Sequence, residues 1–185
     1  MKQRGFSLVE LIVVLAVMAV LAGISVPVVV HQVGKAKKNA TIREMAGLAK
    51  SLRAHAADVG FDPAKAKWGR FPAEVNRPGK YKPILGPQLE TNETGSGWNA
   101  ALAKGWNGPY VGLDQVQTDP DGKGNVTDIP SYQVDGWGRY YIYKNRVASG
   151  PGGERLVTLT SGGPDLNPKT DSDNITLIVY RGVSY

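Results

Sequence analysis

The chain of 185 residues contains no cysteine and only two histidines, His31 and His55. The absence of cysteine excludes disulfides and thiolate zinc sites, and two histidines far apart in sequence give little support to a zinc centre. Domains outside the cytoplasm often depend on disulfides for their stability. Any such domain in this chain must therefore be held together by its apolar core or by a bound metal ion.

Catalytic signatures are also missing from the sequence. It has no nucleophile–base arrangement, P-loop or dinucleotide-binding motif. The 22 basic and 16 acidic residues give a net charge of +6, and the basic residues are scattered apart from Lys35, Lys37 and Lys38. A mild, dispersed positive charge does not indicate a nucleic-acid surface. The sequence therefore predicts a protein that is not an enzyme and that requires no nucleic acid.

A long uncharged run dominates the N-terminal region. The residues from Leu11 to Val30 carry no charge, and a helix of that length covers the ~30 Å hydrocarbon core of a bilayer. A secretory signal peptide has a shorter run followed by a small-residue cleavage site, whereas this run ends in bulky residues. The pattern favours a permanent single-pass segment over residues 6–30. Glu10, at its edge, is an acidic residue of the kind that marks function in a membrane segment.

The sequence Gly5-Phe6-Ser7-Leu8-Val9-Glu10 resembles the processing motif of type IV pilins and type II secretion pseudopilins. The resemblance implies that a prepilin peptidase removes residues 1–5 by cutting after Gly5 and N-methylates Phe6. It also implies an assembly role for Glu10, which would pair with the N-terminal ammonium of a neighbouring subunit. An ion pair between Glu10 and the ammonium of Phe6 in the same chain is the alternative, because residues 6 and 10 lie one helical turn apart.

The helix is expected to continue beyond the apolar run. Apolar residues recur there at helical spacing, and Asp58-Val59-Gly60 with Asp62-Pro63 predicts where the helix ends. The recurring positions are Val33, Ala36, Ala40, Met45, Leu48, Ala49, Leu52 and Ala56. Strands are predicted in three later segments, 135–143, 155–160 and 175–180, the first entered through a glycine turn.

These elements predict an α+β fold. The resemblance implies the pilin fold, in which a long N-terminal helix, first transmembrane and then amphipathic, packs on a small antiparallel sheet. The predicted divisions are the leader 1–5, the transmembrane and polymerisation segment 6–30, and a globular domain 31–185. Two further segments resemble those of major pseudopilins, Trp106-Asn107-Gly108-Pro109-Tyr110-Val111 and Asp135-Gly136-Trp137-Gly138-Arg139-Tyr140-Tyr141. Their aromatic residues are interpreted as core rather than as a ligand platform.

The segment Ser161–Asn174 is the best candidate for a metal site. Its three aspartates repel one another in a compact loop, and a hard cation such as calcium would relieve that repulsion. The segment also resembles the calcium loop of major type II pseudopilins. Carried over, the resemblance implies calcium as the cofactor with these ligands, strongest first: Asp165, Asp173, Asp171, then Ser161 and the carbonyls of Leu159 and Leu166. The alternative is a solvated acidic turn.

A second acidic loop, residues 119–125, contains two aspartates, and Lys123 follows them in the middle of the loop. A lysine in the middle of the loop works against cation binding, because its own charge repels the ion. A plain hydrophilic turn is therefore the favoured interpretation.

The resemblance implies a structural function. The chain would be a subunit of a type II secretion pseudopilus, single-pass in the inner membrane with its C-terminal domain in the periplasm, and assembled into a periplasmic filament that drives export of folded proteins. Implied partners are further copies of the chain, minor pseudopilins, the prepilin peptidase, the assembly platform protein and its ATPase. The alternatives are a type IV pilin of a surface filament, for adhesion, motility or DNA uptake, and a membrane-tethered glycan- or peptide-binding module.

Overall fold

The computed structural model describes residues 7–59, 74–76, 83–85, 87–92, 97–103, 105–120, 123–147, 154–165 and 172–183. The chain divides into two compact units, Met1–Lys37 and Lys38–Tyr185. One helix, α1 (Leu8–Val59), contributes residues to both units. It ends where the aspartate, glycine and proline residues after position 57 predict, so that boundary is confirmed.

The first unit contains the apolar part of α1. Every described side chain between Leu8 and Val30 is exposed, and this helix is long and apolar enough to cross a membrane, with a mean hydropathy of 2.8 and no buried residues in its most apolar window. Leu8 and Val30, for example, are 73% and 66% exposed. Exposed apolar area costs about 25 cal/mol per Å² in water, so this surface requires lipid or other apolar surfaces around it.

The second unit adds small antiparallel sheets to the C-terminal part of α1. Among the described residues the strands form two hairpins and one three-stranded sheet with β6 in the centre. The strands are β1 (Glu74–Asn76), β2 (Pro83–Leu85), β3 (Gln115–Thr118), β4 (Thr127–Pro130), β5 (Ile142–Val147), β6 (Glu154–Ser161) and β7 (Ile175–Val183). Short 3₁₀ turns occupy Pro87–Leu89 and Ser131–Gln133. This arrangement confirms the predicted α+β class.

The central strand β6 alternates in burial as a half-covered strand should. Val157, Leu159 and Ser161 are buried, whereas the residues between them are only half-buried. Leu159 lies opposite Tyr143 of β5 and Leu177 of β7. Successive side chains of a strand point to opposite faces, so this alternation directs one face of the sheet into the core.

The core forms between α1 and this sheet. Five residues of the predicted helical stripe are buried in it: Met45, Leu48, Ala49, Leu52 and Ala56. They cluster with Leu85, Leu89, Tyr132, Tyr141, Tyr143, Val157, Leu159 and Val179. In addition, Arg53 donates from Nε to the carbonyl oxygen of Val179 in β7 at 3.0 Å, which ties the helix to the outer strand.

The helix continues through the predicted apolar repeat, but the first residues of that repeat are not buried. Val33 is 49% exposed and Ala36 is also exposed. Both residues belong to the first unit, while the sheets and the hydrophobic core belong to the second. Helical spacing of apolar residues therefore identified the correct face, but burial begins only at Thr41, which is fully buried.

The strand predictions for β6 and β7 are confirmed. The predicted strand over residues 135–143 needs a correction of its beginning. Strand β5 begins at Ile142 and extends to Val147, while the preceding residues from Asp135 form a turn. The amide of Gly138 donates to the carbonyl of Asp135, and Gly138 itself adopts a φ of +75°. That φ favours glycine and is incompatible with a continuous strand. The β3–β4 hairpin was not predicted, because β3 is exposed along most of its length and shows no alternation.

We expect Leu52→Ala to lower the free energy of unfolding of the second unit by about 2–5 kcal/mol, because it removes a fully buried side chain and leaves a cavity. Ile42→Ala on the same helix is the matched control, since Ile42 is 44% exposed. Urea unfolding of the full chain in detergent micelles, followed by tryptophan fluorescence, measures both. Equal losses for the two variants would contradict the assignment of the core face.

Candidate functional site

The beginning of helix α1 is closed by a reciprocal cap. The backbone N–H of Ser7 donates to Oε2 of Glu10 at 3.0 Å, and the N–H of Val9 donates to Oγ of Ser7 at 3.3 Å. This is the geometry of a capping box, in which a serine at the N-cap and a glutamate three residues later satisfy backbone donors that have no helical partner. Glu10 therefore has a local structural role as well as its predicted assembly role.

The residues of the predicted cleavage and methylation site, Gly5 and Phe6, lie outside the described residues. The described part begins at Ser7, directly after them. Its first helical residues carry exposed side chains, and Glu10 is exposed with them. The carboxylate of Glu10 is thus at the surface of the helix, where a group from another molecule can reach it.

The predicted cation loop begins at the end of β6 with a buried hydroxyl. Ser161 is fully buried, and its Oγ donates to Oδ2 of Asp135 at 2.5 Å. The same oxygen accepts from the N–H of Gly163 at 3.2 Å. Ser161 therefore joins the first turn of the loop to Asp135, in the turn that precedes strand β5.

The two ends of the loop meet at Asp173. Its Oδ2 accepts from the N–H of Asp165 at 3.0 Å. Its carbonyl oxygen lies 2.5 Å from the position that a Cβ on Gly163 would take, and Gly163 has a φ of +66°. Only glycine combines that backbone conformation with so close an approach. Asp173 and the first turn of the loop are therefore packed directly against each other.

One oxygen of Asp173 is suited to a cation. Its Oδ1 is buried and has no hydrogen-bond partner among the described residues. A buried carboxylate oxygen without a partner carries a substantial desolvation cost. A hard cation coordinated by carboxylate and carbonyl oxygens would remove that cost. This oxygen is therefore a candidate ligand for the predicted calcium ion.

The turn before β5 is organised by the buried carboxylate of Asp135, which is 4% exposed. Its Oδ1 accepts from the N–H groups of Trp137 and Arg139, each at 3.0 Å. Carboxylates that accept several backbone N–H groups are well accommodated in tight turns. Because Oδ2 accepts from Ser161, this one side chain connects the turn to the cation loop.

The same turn is attached to helix α1. The N–H of Gly136 donates to Oγ1 of the buried Thr41 at 3.0 Å. Close by, the hydroxyl of Tyr141 donates to Oε2 of Glu44 at 3.1 Å. Burial, reinforced by the carboxylates of Glu44 and Asp135, raises the pKa of Tyr141 well above its usual value. Tyr141 is thus a neutral hydrogen-bond donor at neutral pH.

The aromatic segment 106–110 closes the far end of the helix. Tyr110 donates from its hydroxyl to Oδ2 of Asp58 at 3.0 Å, and its carbonyl accepts from Oγ of Ser51 at 2.6 Å. The N–H of Gly105 donates to the carbonyl of Asp58 at 2.7 Å, which satisfies one of the last carbonyls of the helix. Burial, with the neighbouring Asp58 carboxylate, raises the pKa of Tyr110 to about 12.

These contacts decide the interpretation of the aromatic residues. Tyr141 and Tyr143 are 1% and 0% exposed and belong to the core cluster. Trp106 lies edge-on to Tyr110 at a centroid distance of 6.0 Å and donates from Nε1 to the carbonyl of Gln88. These four aromatic side chains therefore serve in packing and in closing the end of the helix, as the core interpretation predicted for them.

The N-terminal segment was also compared with known families. Residues 1–26 match the family described as the prokaryotic N-terminal methylation motif. The chain carries a prepilin-type N-terminus. The match covers the leader and most of the apolar run, and it supports a type IV pilin-like protein. No curated protein and no solved structure matches the chain.

The structure brings together three of the predicted ligands. Ser161 accepts the N–H of Gly163, Asp173 accepts the N–H of Asp165, and Gly163 packs against Asp173. Leu159 lies two residues before Ser161, in the core of β6. Leu166 and Asp171 lie outside the described residues. Within the part of the chain that is described, no group of three or more His, Cys, Asp or Glu side chains is placed to hold a metal ion. Calcium binding therefore remains a prediction.

The second acidic loop forms a simple turn at its described positions. Both carboxylate oxygens of Asp119 accept backbone N–H groups, one from Lys123 at 3.2 Å and one from Gly124 at 2.7 Å. A carboxylate used in this way stabilises the turn by itself. Asp121 lies outside the described residues. The contacts of Asp119 agree with the hydrophilic turn that was favoured for this loop.

Sequence reasoning missed Asp135 and the capping role of Ser7 and Glu10. The second could have been found, because Ser7-Leu8-Val9-Glu10 has the spacing of a capping box directly before an apolar run. For Asp135, the available signal was an aspartate before a glycine-rich turn, which predicts bonds to nearby N–H groups. Its bond to Ser161, 26 positions away, had no signal in the sequence.

We expect Gly163→Ala to destabilise the second unit more than Gly124→Ala. Both glycines have positive φ, but a Cβ meets backbone atoms of Asp173 only at Gly163, and meets nothing within 4 Å at Gly124. The shared backbone strain is about 1–2 kcal/mol, and the clash adds to it at position 163 only. Thermal unfolding of both variants in excess chelator checks this. Equal melting temperatures would contradict the close packing of Gly163 against Asp173.

Proposed function

We propose that this pilin-like chain is a structural subunit of a type II secretion pseudopilus. The observation that carries the proposal is a single helix with a prepilin-type motif at its beginning, where Glu10 caps the first turn. The helix then continues as an exposed apolar surface. The same helix ends as the core helix of a small α+β unit. Such a chain is suited to storage in a membrane and to assembly through its N-terminal segment.

The exposed apolar part of α1 supports assembly on physical grounds. Its side chains from Leu8 to Val30, as far as they are described, have no covering surface within the chain. In a bilayer, lipid tails cover them. In a filament, the same surface would be covered by the helices of neighbouring copies, so transfer from membrane to filament exchanges one apolar environment for another at little cost.

Glu10 would favour transfer into the filament over storage in the membrane. Oε2 accepts the N–H of Ser7, but a carboxylate has about four acceptor positions on its two oxygens. It can therefore keep its cap and also accept an ammonium group. A charge near lipid is costly unless a cation pairs with it. Pairing with the N-terminal ammonium on Phe6 of a neighbouring chain would favour docking at one axial offset and so set the register of the filament.

The C-terminal unit favours secretion over a surface pilus. The chain contains no cysteine, so it has no disulfide of the kind with which many pilins close their C-terminal region. It instead carries the loop 161–174 and the segments 106–111 and 135–141, the three segments that resemble major pseudopilins. We infer that its domain lies in the periplasm and its helix in the inner membrane. The prepilin peptidase, minor pseudopilins, platform protein and ATPase would act on it or with it, while the chain itself catalyses nothing.

Calcium is the proposed cofactor of this domain. Asp173, with its buried Oδ1, and Asp165 would hold the ion. Ser161 would contribute as a weaker ligand, together with the predicted Asp171 and the carbonyls of Leu159 and Leu166. The bound cation would neutralise the repulsion among the carboxylates and hold the two ends of the loop together. In a chain without disulfides, this replaces a covalent constraint.

The assembly role of Glu10 is tested by Glu10→Gln in the native host. Glutamine retains an oxygen for the Ser7 N–H but has no charge, so the helix cap survives and the ionic pair does not. We expect a methylated chain starting at Phe6 by mass spectrometry, no filaments by electron microscopy, and folded exoproteins retained in the periplasm. Ser7→Ala is the control, because it keeps the charge and weakens only the cap, by about 1 kcal/mol; it should assemble.

Two results would overturn parts of this proposal. Filaments of wild-type length from Glu10→Gln would refute charge pairing as the basis of assembly. Loss of surface filaments with normal exoprotein release would identify a type IV pilus instead of a pseudopilus.

The calcium site is tested by melting the full chain in detergent micelles with millimolar calcium or with chelator. A ligand that binds only the folded state at a hundredfold excess over its Kd stabilises by about 2.7 kcal/mol, so calcium should raise the melting temperature by several degrees. Magnesium should do less, because it requires tighter octahedral geometry. Asp173→Asn and Asp165→Asn should abolish most of the shift, and Asp128→Asn, on the exposed side of β4, should not. Identical melting in calcium and chelator would show that the loop is only a turn.

A further inference from the structure

Asp135 occupies an unusual position for an acidic residue. It is 4% exposed, yet it does not belong to the loop 161–174 or to any predicted site. Oδ1 is used within its own turn by Trp137 and Arg139. Oδ2 is directed out of the turn, to Ser161 at the end of β6. The second oxygen therefore acts on a different part of the chain.

The direction of the Asp135–Ser161 hydrogen bond is fixed by chemistry. An ionised carboxylate accepts hydrogen bonds and cannot donate them, while a hydroxyl has one hydrogen and two acceptor lone pairs. The hydrogen of Ser161 must therefore point to Asp135. Both lone pairs of Oγ are then available to the loop, and one of them accepts the N–H of Gly163 at 3.2 Å.

From Gly163 the contacts continue to the predicted ligands. Gly163 packs against the backbone and carboxylate of Asp173, and Asp173 accepts the N–H of Asp165. In the other direction, the turn of Asp135 is attached to α1 through the bond from Gly136 to Thr41. A continuous set of contacts therefore joins the core helix, the turn before β5 and the cation loop.

We propose that Asp135 is a positioning residue for the cation loop, which fixes the orientation of the Ser161 hydroxyl and thereby the first turn of the loop. This inference rests on the proposed calcium site. It assigns to Asp135 the role that carboxylates outside the ligand set commonly have at metal sites, where they orient a ligand without touching the ion. The loop is thereby built against the folded turn and helix, so that cation binding and the packing of that turn support each other.

The substitution Asp135→Asn tests the role without removing volume. Its amide oxygen can still accept the N–H groups of Trp137 and Arg139. Its NH₂ group faces Ser161 and must donate, which reverses the hydrogen bond and turns the hydroxyl hydrogen towards the loop. A hydrogen directed at a cation is repulsive, and one lone pair is lost. We therefore expect the calcium Kd to rise about 10- to 100-fold, the usual effect of losing such a partner.

The experiment measures calcium affinity by isothermal titration calorimetry on the full chain in detergent micelles, below the unfolding temperature. It compares wild type, Asp135→Asn, Ser161→Ala, the double variant, and Asp128→Asn as a control for the change of charge. If Asp135 acts through Ser161, the double variant binds calcium no more weakly than Ser161→Ala alone. A purely structural Asp135 would lower the melting temperature in chelator but leave the calcium Kd of the folded protein unchanged.

A second measurement needs no metal. Hydrogen exchange of the peptide containing residues 161–165, in chelator, should accelerate in Asp135→Asn and remain at the wild-type rate in Asp128→Asn. Calcium binding by wild type with an unchanged Kd in Asp135→Asn would overturn the inference and leave the calcium site intact. Failure of the wild-type protein to bind calcium would overturn the calcium site itself, and the role of Asp135 in cation binding with it.

Discussion

The burial of one stripe of helix α1 is the interaction on which the folded unit depends. Met45, Leu48 and Leu52 lie against the inner face of the three-stranded sheet, and the chain has no disulfide to supplement them. In the first unit of the same helix, every apolar side chain whose burial the structure describes is exposed. One continuous element thus serves two environments, because its first part is apolar on every face and its second part on only one.

Polar contacts at the edge of this core supply constraints that a disulfide supplies elsewhere. Thr41, Asp135 and Ser161 are all buried, and each is hydrogen-bonded to a backbone or side-chain partner on a different element. Buried polar groups are costly when unsatisfied, so a satisfied set permits only one arrangement of the elements that carry it. The turn before β5, although short, therefore holds together helix α1 at Thr41 and the end of β6 at Ser161.

At both ends of α1, backbone groups without a helical partner are hydrogen-bonded by residues of the chain. Glu10 and Ser7 satisfy donors at its beginning, while Gly105 and Tyr110 bind to Asp58 at its end. The hydrogen bond from Ser7 also orients the Glu10 carboxylate. In the proposed pairing with an ammonium group of a neighbouring copy, this orientation would reduce the conformational entropy that is lost.

The sequence by itself determined the elements that depend on local pattern. An uncharged run, a helical repeat and two strand-like runs predicted the long helix, the buried residues Met45 to Ala56, and strands β6 and β7, because periods of 3.6 and 2 are visible along the chain. The structure alone decided what depends on distant partners. The hydrogen bonds from Ser161 to Asp135 and from Ser51 to Tyr110 join residues 26 and 59 positions apart. Such pairs leave no periodic signal, since only the packed helix and sheet bring them together, and for the same reason the start of β5 and the exposure of Val33 had to be read from the fold.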